Sequence, residues 1–152
     1  MIMNIDLAPT ILDYAGIDVP NGMQGESVRR LMDEEEPTWR DHVYYSYYEN
    51  TWALNAAKQE ELSDPSFNFF TAHRIGPHRG IRTERFKLIE YYSKNNYWEF
   101  FDLVVDPLEQ RNAYNEPAYA KVIRMMKEQL RSTQKQYQDV DTWEGLTLPS
   151  YE

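Results

Sequence analysis

The chain contains no cysteine, so it has no disulfide, no thiolate metal site and no cysteine nucleophile. The same absence leaves the redox compartment unmarked. A surplus of positive charge is missing too: 16 Lys and Arg stand against 25 Asp and Glu, for a net charge of −9. General nucleic-acid binding needs the opposite balance, because it draws its affinity from phosphate contacts. No apolar run reaches the length that crosses a bilayer. Met1-Ile2-Met3-Asn4 lacks the basic start and long apolar stretch of a signal peptide. Internal repeats, low-complexity tracts, a Gly-rich phosphate loop, a Gly-x-Ser-x-Gly elbow and a His-Glu-x-x-His helix are all absent.

What remains is a chain of 152 residues with 41% hydrophobic content, enough for one compact domain with a modest core. Aromatics make up 14%, and tyrosine is the commonest at 12 residues. A tyrosine buries its ring and keeps a polar tip, which suits a half-wet sheet or a polar binding surface.

Hydrophobic spacing predicts a first helix after Asp6, with Asp6 as N-cap, Leu7, Ile11, Leu12 and Ala15 at helical intervals, and Gly16 as the stop. A short helical piece is expected over Glu26 to Met32, then an acidic break at Asp33-Glu34-Glu35-Glu36-Pro37. Strands are expected over 42–48, 80–83, 86–92 and 97–103, the second and third joined by a turn at Glu84-Arg85. Residues 49–78 read as a long excursion, with a possible helix over 53–62. A last helix is expected from about Pro117 to Gln138. Its stripe is Tyr119, Val122, Met126, Leu130, Thr133 and Tyr137, and Asn115 is its candidate cap. These elements predict an α+β layer: a four-stranded antiparallel sheet packed by a long C-terminal helix.

The charge distribution is uneven. Arg74, Arg79, Arg82, Arg85 and Lys87, with His73 and His78, crowd residues 73–87, where Glu84 is the only acid. Two readings fit. Forked Arg donors match sulfate, phosphate or carboxylate, so the strip forms an anion site. Alternatively, these are solvated strand-edge charges balanced by the many carboxylates, with Arg85 the plainest case. His73 and His78 have no nearby carboxylate to complete a metal shell, and Asp102, Asp106 and Glu109 read as turn and capping residues.

Four stretches in order resemble the sulfatase family. Ile5 to Ile17 (IDLAPTILDYAGI) is similar to the last helix of its catalytic domain, and Met23 to Val28 (MQGESV) to the "QG-x-S-L" stretch after it. His78 to Ile89 (HRGIRTERFKLI) resembles "G-V-R-T-x-R-Y-K-L-I". Trp98 to Leu103 with Asp106, Pro107, Glu109 and Asn112 resembles "E-L-Y-D-L-x-x-D-P-x-E-x-x-N". The resemblance implies an alkaline-phosphatase-like α/β domain followed by a smaller C-terminal sheet and helix. It also implies hydrolysis of sulfate esters, on glycans or aryl compounds, with a formylglycine made from a Cys/Ser-x-Pro-x-Arg motif and a calcium ion. The only near match to that motif, Ser63-Asp64-Pro65-Ser66-Phe67, has Phe where Arg is required. The expectation is therefore a C-terminal part of a sulfatase with no catalytic residue and no metal ligand of its own. Residues 1–33 would be a remnant of the catalytic domain, 38–140 the C-terminal subdomain and 141–152 a tail.

By motif position, His78, Arg79 and Arg82 are the expected sugar or sulfate contacts, with His73 and Arg74 behind them. Self-association through the remnant helix is a further expectation. Neither nucleic acid nor membrane is expected as a partner, and the resemblance is compatible with a periplasmic, secreted or lysosomal setting. Two other readings stay open: a free-standing module that binds sulfated or anionic glycans, and part of a related phosphate-ester hydrolase.

Overall fold

The structure, a computed structural model, describes residues 1–33, 38–47, 78–91 and 97–139. The expected helix over 53–62, the tail and the positions of His73, Arg74, Tyr48 and Tyr92 lie outside them. A 3-10 turn, Asn4–Asp6, leads into α1, Leu7–Tyr14. Gly16 adopts φ 70°, the left-handed conformation that glycine takes at least cost. It closes the helix with bonds from Gly16 N to Asp13 O (3.1 Å) and from Ile17 N to Leu12 O (2.9 Å).

Asp6 takes the N-cap position of α1, as expected, but does not cap it with its side chain. Its backbone is already helical and its carboxylate makes no capping bond to α1. It turns inward, is fully buried, and accepts hydrogen bonds from Met3 N (2.7 Å) and Glu26 N (2.9 Å). The helical piece expected over Glu26 to Met32 shrinks to α2, Arg30–Asp33. Glu26 N donates to Asp6 Oδ1 (2.9 Å) and Val28 N to Thr10 Oγ1 (3.0 Å). Tertiary bonds to the first helix tie this stretch down before α2 begins.

The sheet is an antiparallel meander of β1 (His42–Tyr47), β2 (His78–Thr83), β3 (Phe86–Tyr91) and β4 (Trp98–Asp102), in the spatial order β1-β2-β3-β4. β2 begins two residues earlier than its sequence pattern suggests. His78 and Arg79 pair with Tyr47 and Ser46 on one side and with Tyr91 and Glu90 on the other. The turn at Glu84-Arg85 is held by Thr83, whose Oγ1 accepts from Phe86 N at 2.9 Å.

The last helix, α3, runs Ala120–Gln136 after a 3-10 turn, Pro117–Tyr119. Glu116, not Asn115, precedes that turn, with φ −78° and ψ 123°. A residue before proline is pushed into this extended region, so the helical path cannot begin earlier. The buried stripe is Ile123, Met126, Leu130, Thr133 and Gln134. Met126, Leu130 and Thr133 match expectation, while Ile123 replaces Val122, which packs partly buried at the rim with Tyr119. The stripe meets Ile81, Leu88, Trp98 and Phe100 in one core. His42 ties β1 to the same helix through Thr133 Oγ1 (2.9 Å).

Candidate functional site

Strand alternation divides the predicted site. Arg79 and Ile81 point to the helix-packed face of the sheet, whereas His78, Gly80 and Arg82 belong to the opposite face. Register places Tyr45 across from Gly80 and Tyr47 across from His78, with Tyr91 on the other side of His78. The His78 ring stacks on Tyr47 at 5.5 Å, meets Tyr45 edge-on at 5.9 Å and lies 5.3 Å from Tyr91. Arg82 is exposed two positions further along the same face. The result is an aromatic platform around one imidazole, bordered by an exposed guanidinium.

This platform carries its own acids. Tyr91 donates its hydroxyl to Glu99 Oε2 and Tyr97 to Glu99 Oε1, each at 3.2 Å. Lys87 is neutralised by Glu109 at 2.5 Å. Burial and the neighbouring Glu99 push the Tyr91 phenol ionisation up, so it stays a neutral hydroxyl.

Gly80 explains how the platform is built. A Cβ there would lie 2.4 Å from Cζ and from the hydroxyl oxygen of Tyr45, and 2.8 Å from Leu88 O. Only glycine lets the Tyr45 ring lie flat across β2.

Arg79 lies apart from His78 and Arg82. It is 4% exposed, and its Nε donates to Glu90 at 2.5 Å. Arg131 from α3 reaches the same carboxylate, with its Nη1 at 2.7 Å from Glu90 Oε2. Burial raises the Glu90 pKa, but Arg131 and Arg79 together hold it below the ordinary carboxylate value. Sequence reasoning missed Glu90 and Arg131. The available signal was a charged residue at an inward position of a strand and another flanking the apolar stripe of a helix.

Arg85, expected as plain solvent charge, is exposed but bonded: its Nη2 lies 2.9 Å from Asp102. Asp102 also accepts from Val104 N and the Tyr119 hydroxyl, and Asp106 accepts from Arg111 N, which agrees with turn and capping duty. Among the described residues, no three of His, Asp and Glu gather as a metal shell. Asp6, Glu90 and Asp102 each face arginine instead.

These features coincide with a known family. Residues 1–64 and 53–136 match the family described as N-sulphoglucosamine sulphohydrolase, C-terminal, and the chain belongs to it. It is 37% identical over 149 residues to the N-acetylglucosamine-6-O-sulfatase of Bacteroides thetaiotaomicron, which spans 96% of this chain and 23% of that protein. It is 28% identical over 118 residues to an arylsulfatase of Clostridium perfringens, covering 78% of the chain and 19% of the relative. A solved protein in complex with its substrate, D-glucosamine-2-N,6-O-disulfate, superposes with a TM-score of 0.74 at 37% identity over 95% of this chain and 26% of its own. The phosphonate monoester hydrolase of Agrobacterium radiobacter shares the fold, with a TM-score of 0.62 at 24% identity over 87% of this chain and 24% of its own. The chain thus spans about a quarter of the length of these relatives.

Proposed function

We propose that this chain supplies the C-terminal subdomain of a sulfate-ester hydrolase acting on sulfated sugars, and that its β2 face forms part of the substrate-binding surface. The observation that carries this reading is the ring cluster of His78 with Tyr45, Tyr47 and Tyr91, on the sheet face where Arg82 is exposed. Aromatic faces receive sugar rings, and a guanidinium fork matches sulfate oxygens. A relative named N-acetylglucosamine-6-O-sulfatase and a solved structure that holds a glucosamine disulfate as its substrate support the same choice.

His78 and Arg82 are the proposed contacts on this face, with His73 and Arg74 assigned to the same surface by motif position. Arg79 acts at one remove: its bond to Glu90 keeps β2 seated on α3, and so positions His78 and Arg82 on the other side. Residues 1–33 belong with a preceding catalytic domain in this reading, and residues 38–140 form the subdomain. A formylglycine and a calcium ion would supply the nucleophile and the charge stabilisation in the intact enzyme. The donor set on this chain does not fit either: it has no cysteine, and its described buried carboxylates are committed to arginines.

Titration of the chain with D-glucosamine-2-N,6-O-disulfate, followed by amide NMR, tests the proposal. Shifts are expected on β1 to β3, and Arg82→Ala is expected to weaken binding about tenfold, the loss of one charge-assisted hydrogen bond. Equal binding by the parent, Arg82→Ala and His78→Ala chains would overturn it.

A further inference from the structure

Tyr45 holds the one buried side-chain polar atom among the described residues that has no hydrogen-bond partner, its hydroxyl oxygen. Buried polar groups are nearly always paired, and an unpaired one costs stability that phenylalanine in the same volume would not incur. The position is also built, since residue 80 must be glycine for the ring to lie there. Tyr45 stands opposite Gly80, between His78 and Arg82 on the same face, so a sugar spanning those two residues passes over it. Burial first, then the charges of Glu109 and Glu99, push its phenol ionisation up, with Arg82 opposing. The hydroxyl therefore stays neutral, with Glu99 and Arg82 of opposite sign around it and Glu109 already paired with Lys87. A neutral phenol can donate to or accept from a sugar hydroxyl, a group that an aryl sulfate lacks.

We infer that the Tyr45 hydroxyl is a specificity group, which pairs with a ring hydroxyl of the sulfated sugar and thereby separates sugar sulfates from aryl sulfates. This inference rests on the substrate surface proposed above and names which part of the substrate that surface reads. The hydroxyl is sealed from solvent, so the contact forms as neighbouring side chains give way on binding. A site that reserves a buried polar group for one substrate hydroxyl disfavours analogues lacking it, because the group then stays unpaired.

The test compares the full chain with Tyr45→Phe, using D-glucosamine-2-N,6-O-disulfate and phenyl sulfate as probes. Tyr45→Phe is expected to weaken the sugar disulfate about tenfold and to leave phenyl sulfate unchanged. Its melting temperature is expected to hold or rise, since an unpaired buried hydroxyl is removed. Unchanged sugar binding, equal weakening of both probes, or a lowered melting temperature each overturns the inference. His78→Ala and Arg82→Ala separate the two levels of argument. If they lose both probes while Tyr45→Phe changes nothing, the surface stands and the role of Tyr45 falls. If the parent chain binds neither probe, both fall.

Discussion

Asp6 and Arg40 show how a single carboxylate joins distant parts of the chain. Arg40 Nη1 lies 2.8 Å from Asp6 Oδ2 and its Nη2 lies 3.0 Å from Oδ1, with the carboxylate fully buried. Burial raises the Asp6 pKa, but Arg40 and the Met3 and Glu26 amides hold it below the usual carboxylate value. Arg40→Ala would leave that charge uncompensated, and a loss of about 3–5 kcal/mol in urea unfolding at pH 7 is expected. The sign with pH follows from the lowered pKa. The unfolded chain binds the proton more readily, so the pair contributes fully above about pH 4 and loses its contribution as pH falls through the folded value. The gap between parent and Arg40→Ala should therefore narrow as pH falls below about 4. A gap that stays constant would show that Asp6 is not the linked group. Gly25 makes this arrangement possible. A Cβ there would sit 2.0 Å from Ile5 O, so Gly25→Ala should cost about 2 kcal/mol or more in the same assay.

For the elements, the question is which residues of a correctly recognised helix or strand face inward. The α3 stripe was legible in its period but shifted at its start, because Tyr119 belongs to the 3-10 turn and its neighbour Val122 sits at the rim. Ile123→Ala should therefore cost about 2–5 kcal/mol in equilibrium unfolding, and Val122→Ala distinctly less. The reverse order would restore the stripe read from sequence. In β2 the motif residues stand side by side in the chain, yet pleating sends them to opposite faces. Glu90→Gln would leave Arg79 facing a neutral amide inside the sheet–helix seam. Unfolding free energy should fall by about 3 kcal/mol at neutral pH, and the deficit should shrink in acid as Glu90 itself protonates.

At the scale of the whole molecule, the first helix leaves large apolar side chains exposed among the described residues. Leu7 is 61% exposed, Ile11 68% and Ile17 56%, along and just beyond α1. An unpartnered face of this kind drives association. Sedimentation across a concentration series should show a reversible dimer that Ile11→Glu disperses. A monomer at all concentrations would refute this. The sequence holds no Cys/Ser-x-Pro-x-Arg motif, so the purified chain supplied with calcium should not turn over an aryl sulfate above buffer rate.

Period, turn chemistry and composition by themselves determined the element order, the antiparallel sheet with its covering helix and the basic strip on β2. All are local properties, written in residues near one another along the chain. Tertiary structure decided what each charge does. Asp6 keeps the cap position it was read for, but its carboxylate turns to Arg40, 34 positions away. Arg79 left the surface because Glu90 and Arg131 meet it under α3, and Tyr45 gained its place because Gly80 stands across from it. Ion pairs and ring contacts depend on distance in space, and that distance is set only when strands register and the helix docks.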